Sequence, residues 1–249
     1  MSGHSKWATI RRKKEKIDAA RGKVFTKLIR EIQIAARMGG GDPNSNPRLR
    51  TAIDAAKAAN MPAANLDRAV KKGAGELDGQ AMEEVVYEGY GPSGVAILIE
   101  CATDNRNRTV GEIRAVFNKR GGSMAEAGSV GWMFERLGYL SLDLSQGDED
   151  EMMEIALDAG ASDVKSDGEM WEVFCATSDL YIVKGGIEAK GKKVDSAELS
   201  FIAKTTTRVE EAGAAKSVLG LIEALEELDD VQNVYSNYDM DDELIESIV

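Results

Sequence analysis

The chain has 249 residues, of which 43% are hydrophobic and 30% charged, and its formal net charge is −12. This length is sufficient for two or three domains with separate hydrophobic cores. Two cysteines and one histidine leave too few soft ligands for a zinc site. They also exclude a Ser-His-Asp or Cys-His catalytic centre on an ordered scaffold. We therefore expect a protein that is not an enzyme, with no cofactor, no metal and no small-molecule substrate.

The sequence also predicts a compartment. No run approaches the ~18 to 20 uninterrupted apolar residues that a membrane-spanning helix needs, so no membrane partner is expected. Basic residues follow the N-terminus, where a secretory signal would have an apolar stretch. Cys101 and Cys175 lie far apart in apolar runs, as expected for small buried hydrophobes in a reducing environment. These features predict a cytoplasmic protein.

Positive charge is concentrated in the first 78 residues, which hold 17 basic and eight acidic side chains, a balance of +9. The remaining 14 basic and 35 acidic side chains give residues 79–249 a balance of −21. This asymmetry favours a basic segment that binds a polyanion, joined to an acidic body. A second interpretation stays open, in which the basic face docks on the acidic part of the same protein.

The first 78 residues have the pattern of a small all-helical domain. Behind a densely charged block, apolar residues recur at helical steps until the triple glycine 39–41, which ends the first helix. Asn46-Pro47 then starts a second helix, with Asn as N-cap and Pro as the first helical residue. Met61-Pro62 separates it from a third helix, which ends at Gly73.

Strands appear beyond a polar linker at 73–80. In chain order we predict strands at 85–87 and 95–101, a helix at 106–119, strands at 130–134 and 139–144, a helix at 150–159, strands at 162–165 and 170–176, a helix at 179–189, strands at 197–202 and 204–208, a helix at 210–228, a strand at 231–238 and an acidic tail. The order β-α-β-β-α-β between 139 and 202 is the ferredoxin-like arrangement.

These elements predict an α+β multidomain protein. Its parts are an all-helical basic N-terminal domain (1–78), an α/β domain (79–136 plus 204–249) and an inserted ferredoxin-like domain (137–203).

One motif matches a nucleotide-binding pattern. Gly89-x-Gly91-x-x-Gly94 has the dinucleotide-binding spacing, in which the last glycine opens a helix facing the pyrophosphate. Here a strand follows instead and Pro92 lies in the turn, so we predict a hairpin connection. The sequence contains no Gly-x-x-x-x-Gly-Lys-Ser/Thr, and a phosphate-cradling P-loop is absent as well.

Basic side chains are the candidate nucleic-acid contacts, because arrays of cations attract backbone phosphates without reading sequence. On the first helix, for example, Lys23, Lys27 and Arg30 fall on one side, opposite the apolar stripe. Trp7 is added because an aromatic ring can stack on a base. The full set is Lys6, Trp7, Arg11, Arg12, Lys13, Lys14, Arg21, Lys23, Lys27, Arg30, Arg37, Arg48, Arg50, Lys57, Arg68, Lys71, Lys72, Arg106 and Arg108.

Two details limit how these residues could act. A helix-turn-helix is disfavoured, because its recognition helix would begin Pro62-Ala63-Ala64-Asn65, with few side chains able to reach base edges. In the stretch Asp104-Asn105-Arg106-Asn107-Arg108, Asp104 or Asn105 caps the helix that follows. Alternatively, Arg106 and Arg108 extend the basic surface at the junction with the helical domain.

The sequence closely resembles the YebC/PmpR family from end to end. The matching stretches are Gly3-His4-Ser5-Lys6-Trp7, Arg21-Gly22-Lys23-Val24-Phe25-Thr26-Lys27, Gly39-Gly40-Gly41-Asp42-Pro43, Asn46-Pro47-Arg48-Leu49-Arg50, Asn60-Met61-Pro62, Tyr87-Glu88-Gly89-Tyr90-Gly91-Pro92 and Thr103-Asp104-Asn105-Arg106-Asn107-Arg108-Thr109. The resemblance implies a three-domain protein, usually described as a DNA-binding transcriptional regulator. Relatives include a mitochondrial translational activator of cytochrome c oxidase, and some bacterial members act at the ribosome on proline-rich stretches.

Three functions remain as hypotheses. The first is a non-catalytic regulator of transcription that binds DNA through the basic helical domain. The alternative is a ribosome-associated translation factor that binds ribosomal RNA. The third, a metal-dependent hydrolase, requires a compact carboxylate cluster. The nearest cluster, Asp148-Glu149-Asp150-Glu151, is also typical of a helix N-terminus.

Overall fold

The computed structural model describes residues 21–166, 168 and 170–248. They form two compact units, which we name the first unit (21–131 with 207–248) and the inserted unit (132–206). Each unit combines helices with an antiparallel four-stranded sheet. The α+β class predicted from the sequence is confirmed. The division into three domains stays a prediction.

The first unit begins with a helical segment, residues 21–76. Its helices are α1 (Arg21–Gly39), α2 (Pro47–Ala58) and α3 (Ala63–Gly73). Their apolar stripes meet in one core, in which Ile32, Leu49 and Ala56 are completely buried. The three predicted helices are confirmed, and the ends that a glycine or proline marks in the sequence, such as the start of α2 at Pro47 and the end of α3 at Gly73, lie where predicted.

Asn46 does more than cap a helix. Its side-chain oxygen accepts the backbone N–H of Leu49, as an N-cap does. Its amide nitrogen donates to the carbonyl oxygens of Ala35 and Gly40, at distances of 2.8 and 2.9 Å. A single buried side chain therefore joins the end of α1 to the start of α2.

Helices α1 and α3 approach each other closely at Gly73. A Cβ at Gly73 would lie 2.4 Å from the carbonyl oxygen of Gln33 and 2.7 Å from its Cα. Both are backbone atoms, which cannot move without shifting α1. The contact between α1 and α3 leaves no room for a Cβ at this position, so only glycine fits there.

We expect Gly73→Ala to lower the free energy of unfolding by about 1–3 kcal/mol, because the methyl group forces the two helices apart. Gly111→Ala is the matched control. Gly111 lies inside a helix, and its added Cβ would have no neighbour within 4 Å. That change should raise the free energy of unfolding by about 0.5–1 kcal/mol. Urea denaturation of both variants tests the pair, and equal effects would contradict the close contact.

The rest of the first unit is an α/β segment, residues 82–131 and 207–248. Its elements are β1 (Glu83–Tyr90), β2 (Ala96–Thr103), α4 (Arg106–Arg120), β3 (Ser123–Ala125), β8 (Thr207–Arg208), α7 (Ala212–Glu226), β9 (Val231–Ser236), β10 (Tyr238–Asp239) and α8 (Asp242–Ile248). The sheet order is β3-β1-β2-β9, and β8 pairs with β10 in parallel. Helix α4 packs against one face of the sheet. Its Phe117 ring approaches β1 so closely that a Cβ added to Gly89 would lie 2.5 Å from it.

The glycine motif of this segment is a hairpin, as predicted. Strands β1 and β2 pair antiparallel from Glu83↔Thr103 to Tyr90↔Ala96. The turn between them is a short 3₁₀ segment, Pro92–Gly94. The last glycine therefore leads into a strand, and the motif has no helix N-terminus to face a pyrophosphate.

The inserted unit contains β4 (Phe134–Asp143), α5 (Glu149–Asp158), β5 (Asp163–Ser166), β6 (Met170–Cys175), α6 (Leu180–Ala189) and β7 (Ser196–Ala203). This is the predicted order β-α-β-β-α-β. All pairings are antiparallel, in the order β5-β6-β4-β7. The core between sheet and helices includes the completely buried Leu140, Met152 and Val183.

Three sequence predictions were wrong. The strand expected at 130–134 is mostly a loop and a 3₁₀ turn, because the N–H of Val130 donates to the carboxylate of Glu88 instead of a neighbouring strand. The break expected before residue 139 does not exist, since β4 runs unbroken from Phe134 to Asp143. The acidic tail contains helix α8, and the short strand β3 was missed because three residues carry no periodicity.

Candidate nucleic-acid interface

The predicted basic face of α1 exists, but it contacts the α/β segment. Lys23 lies 3.5 Å from a carboxylate oxygen of Glu227. Both side chains are at least half exposed, so this pair contributes little to stability. One turn further along, the ammonium of Lys27 donates to the carbonyl oxygen of Gln232 at 3.3 Å. The second interpretation of the charge asymmetry, docking on the acidic part of the same chain, therefore describes this face.

The next cation on the face, Arg30, is partly buried. The guanidinium of Arg30 lies 2.5 Å from the carboxylate of Asp230 and also donates to the carbonyl oxygen of Ala102. Its side chain is 14% exposed and that of Asp230 only 2%. Arg37 donates to the carbonyl oxygen of Met82. Both guanidinium groups therefore have partners within the chain.

Asp230 is the centre of a buried polar cluster. It accepts the hydroxyl groups of Thr103 and Thr109 at 3.1 and 2.5 Å. The guanidinium of Arg108 contributes a further contact at 2.8 Å. With Arg30, four side chains from three parts of the chain converge on one carboxylate.

The pKa of Asp230 reflects this environment. Burial alone would raise it, but the hydrogen bonds from Thr109 and Arg108 and the charge of Arg30 outweigh burial and lower it below the ordinary value. The carboxylate is therefore ionised at neutral pH. A lowered pKa in the folded state means that the stabilisation is present above the ordinary aspartate pKa and is lost as the pH falls through the lowered one.

Arg108 and Arg106 also have partners within the α/β segment. Arg108 pairs with Asp104 as well as with Asp230, and Arg106 pairs with Glu83 at 2.6 Å. Between them, Asn105 is the N-cap of α4, with its side chain accepting from the N–H of Arg108. The capping interpretation of this stretch is confirmed for Asn105.

On α2, Arg48 and Arg50 are engaged in different ways. Arg48 contacts Glu31 at 2.7 Å and Glu84 at 2.5 Å. Burial alone would lower the pKa of Arg48, but its bonds to these two carboxylates outweigh burial and raise it. Arg50 donates to the carbonyl oxygens of Pro43 and Asn44, in the loop before the helix.

Helix α3 carries the candidates that point to solvent. Arg68 and Lys71 are exposed and Lys72 is partly exposed. At spacings of three and four residues they share one face, away from Leu66 and Val70, which pack on the helical core. Among the residues described, no carboxylate pairs with any of the three. Lys57 on α2 is 67% exposed and is 3.8 Å from Asp54, a weak pair.

The remaining candidates are not placed by the structure. Lys6, Trp7, Arg11, Arg12, Lys13 and Lys14 lie outside the described residues, and so does the side chain of Arg21. The predicted candidates that share an outward face without a described carboxylate partner are Arg68, Lys71 and Lys72 on α3, which we call the α3 surface.

Comparison with known proteins places this geometry in a family. A model described as the N-terminal domain of TACO1/YebC proteins matches residues 5–76. A second model, the second and third domain of TACO1/YebC, matches residues 82–238. The chain belongs to the YebC family.

Relatives match this YebC-family chain over its whole length. A protein from Desulforapulum autotrophicum is 51% identical over 248 residues, with complete coverage of both chains. A Geobacter sulfurreducens protein is 52% identical with the same coverage, and a Pelotomaculum thermopropionicum protein is 53% identical over 97% of this chain and all of its own. All three are named "probable transcriptional regulatory protein".

A solved structure has the same fold. The crystal structure of a conserved hypothetical protein from Aquifex aeolicus is 46% identical to this YebC-family chain. It aligns with a TM-score of 0.85 and covers 92% of this chain and 94% of its own. The predicted resemblance to the family is confirmed.

Sequence reasoning missed one further anchored residue of this YebC-family chain, Glu88. Its carboxylate accepts the backbone N–H groups of Gly128, Val130 and Gly131 at 2.8, 2.6 and 2.9 Å. Burial alone would raise the pKa of Glu88, but these bonds outweigh burial and lower it. The side chain thus holds the loop 126–131 on strand β1. No local signal marks this role, because donor and acceptor are forty residues apart.

We expect Glu88→Gln to lower the free energy of unfolding by about 1–3 kcal/mol, since the amide NH₂ group faces backbone donors and leaves N–H groups unsatisfied. The pH dependence should also change. The lowered pKa makes Glu88 stabilising above the ordinary glutamate pKa, and this contribution disappears as the pH falls through the lowered value. Urea denaturation at neutral pH and at about pH 3 should show a smaller difference in the variant. An equal pH dependence in both proteins would contradict this role.

The described ranges of this YebC-family chain offer neither a metal site nor a membrane-spanning helix. They contain no group of three or more His, Cys, Asp or Glu side chains that could hold a metal ion, and no helix there has the length and apolar character to cross a membrane. Asp148 is the N-cap of α5, as expected for that acidic run.

Cys101 and Cys175 are buried and form no disulfide. Burial raises the pKa of Cys101 to about 12, so its thiol stays protonated.

Proposed function

We propose that this protein is a non-catalytic cytoplasmic regulator of transcription that binds DNA through the α3 surface. The observation that carries the proposal is that Arg68, Lys71 and Lys72 share one outward face without a paired carboxylate in the described chain. The names of the relatives, all probable transcriptional regulatory proteins, support the same role.

The chemistry of the α3 surface favours contacts to phosphates over base reading. Its three cations are long and flexible, and α3 begins with Ala63, Ala64 and Asn65, which are short side chains. Cations of this kind neutralise phosphates and release counterions. Such binding has little sequence preference and depends strongly on salt, so specificity requires DNA shape or further contacts.

The test is a fluorescence-anisotropy titration of the full chain against labelled duplex DNA and a ribosomal RNA fragment of equal charge. We expect binding to duplex DNA whose logarithm of affinity falls linearly with the logarithm of salt, with a slope of about −0.9 per phosphate contacted. Tighter binding to the ribosomal RNA fragment, together with co-sedimentation with ribosomes that survives DNase but not RNase, would replace DNA by ribosomal RNA as the partner. No salt-dependent binding to either would overturn the proposal.

A further inference from the structure

Three cations on one side of α1 are covered by the α/β segment, and we call them the α1 face: Lys23, Lys27 and Arg30. They follow each other by four and three residues, about 6 Å and about 4.5 Å along the helix axis. Their partners are two carboxylates and a backbone carbonyl, all within the short stretch 227–232. A row of oxygen atoms that carries negative charge is also what a phosphate backbone presents to cations. The stretch therefore occupies the face that a polyanion would otherwise contact.

The three contacts differ in strength. Lys23 and Glu227 are both at least half exposed, so water and salt screen their attraction. Lys27 donates to a carbonyl oxygen, which has no net charge. Arg30 and Asp230 are 14% and 2% exposed, so their attraction is screened least. The Arg30–Asp230 pair is therefore the main ionic contact that keeps the α1 face covered.

The surroundings of this pair are unfavourable for a phosphate backbone. Arg30 and Asp230 line a surface cavity of about 480 Å³. The other charged residues that line it are four carboxylates and one arginine: Asp104, Glu112, Glu227, Asp229 and Arg108. This excess of negative charge repels a polyanion. The α1 face can therefore contact a phosphate backbone only after α1 moves away from the cavity.

Gln232, whose carbonyl oxygen accepts from Lys27, carries an unsatisfied group. It lies where the register between β9 and β2 shifts. Its side-chain Nε2 atom is buried and has no hydrogen-bond partner within the described chain. A buried donor without an acceptor destabilises the arrangement that buries it. The covered arrangement thus has an unfavourable group beside one of its three contacts.

The connection between the two segments can act as a hinge. The stretch 74–81 is exposed throughout and contains Gly75 and Gly79. An exposed stretch of this kind absorbs changes of backbone angle at low cost. Two other contacts of the helical segment, from arginines of α1 and α2, are made to Met82 and Glu84 directly after this stretch. They lie beside the hinge, whereas the contacts of the α1 face lie on residues 227–232.

We propose that the α/β segment masks the α1 face, and that the phosphate backbone of the nucleic acid displaces it, so that α1 and the α3 surface bind together. This inference rests on the proposed function, since the competitor is a nucleic acid. The Arg30–Asp230 pair sets the free-energy cost of the displacement. When only a fraction of a protein is competent to bind, its apparent affinity is reduced by that fraction. Weakening the pair therefore increases the affinity.

The first test measures the covered state in the unmodified chain. A carbodiimide joins an amine directly to a neighbouring carboxylate, and the two groups of Lys23 and Glu227 lie 3.5 Å apart. We expect mass spectrometry to find this cross-link in the free chain and to find most of it lost when duplex DNA saturates the protein. The internal control is the cross-link between Lys192 and Glu151 of the inserted unit, which lie 2.5 Å apart. Its yield should not change.

The second test weakens the pair by Asp230→Asn. We expect the affinity for the same labelled duplex at ~0.15 M salt to rise about tenfold, because a larger fraction of the chain exposes the α1 face. The matched control is Asp229→Asn, which removes the same charge from an exposed residue that lines the same cavity and should change the affinity far less. Adding Lys27→Gln and Arg30→Gln to Asp230→Asn should abolish the gain, because the released cations are then missing.

The outcomes separate the two proposals. If the unmodified chain shows no salt-dependent binding, the proposed function fails and this inference fails with it. If the chain binds DNA but the Lys23–Glu227 cross-link forms equally well with and without DNA, the inference alone is overturned. Equal affinities of Asp230→Asn and Asp229→Asn would also overturn it. Circular dichroism verifies that each variant is folded, and the cross-link in the unmodified chain decides the question if Asp230→Asn unfolds.

Discussion

Asp230→Ala is expected to lower the free energy of unfolding by about 3–5 kcal/mol, because it removes the buried carboxylate that pairs with the largely covered guanidinium of Arg30. Arg30 is 14% exposed, and its charge is balanced by Asp230 at 2.5 Å. The same change removes the acceptor for the hydroxyl groups of Thr103 and Thr109. Urea denaturation at neutral pH measures the loss.

Asp229→Ala is the matched control, since Asp229 is the preceding residue and is exposed. A surface change of this kind should stay within about 0.5 kcal/mol of the unmodified chain. A double-mutant cycle with Arg30→Ala then isolates the pair, and we expect a coupling energy of about 1–3 kcal/mol. If Asp230→Ala cost no more than Asp229→Ala, the cluster would not hold the helical segment on the α/β segment.

Disruption of the Asp230 cluster should also have a local effect, which proteolysis can measure. The apolar contact that accompanies this cluster includes the buried side chains of Ile34, Met82 and Ala102. Loss of the Arg30–Asp230 pair should therefore increase protease cleavage in the exposed linker around residues 77–81. Unchanged cleavage at this linker, together with a large loss of stability, would place the damage in the α/β segment instead.

Reversing the α3 surface is expected to remove most of the affinity for nucleic acid. Arg68→Glu, Lys71→Glu and Lys72→Glu together should weaken binding at ~0.15 M salt by about a hundredfold or more, and make the salt slope less steep by about 2.7 for duplex DNA. The fold should stay intact, because none of the three side chains belongs to the core of the helical segment. Anisotropy titration measures the affinity, and circular dichroism verifies the fold.

The control reverses three exposed lysines of the inserted unit, Lys165, Lys190 and Lys193, which are 63, 57 and 80% exposed. It changes the net charge by the same amount. Because these lysines do not belong to the α3 surface, this variant should bind nearly as well as the unmodified chain. Equal losses in both variants would show that overall charge and not the α3 surface determines binding.

Because the basic face of α1 contacts the α/β segment, a regulator of this kind has fewer basic side chains available to bind nucleic acid. Lys23, Lys27 and Arg30 share a face, as their spacing predicts, and that face contacts Glu227, Gln232 and Asp230. The sequence could predict that the face exists, because helical periodicity is a local property. It could not predict its partner, because Asp230 is two hundred residues away and no local pattern marks it.

The sequence by itself determined the elements whose signals are local. Helix ends at Asn46 and Gly73 and the hairpin at Pro92 follow from backbone preferences of single residues, and the family follows from motifs along the whole chain. The tertiary structure alone decided which cations are buried in ion pairs and which face solvent. The physical reason is that a cation's availability depends on the carboxylates folded against it, such as Asp230 for Arg30 and none in the described chain for Arg68.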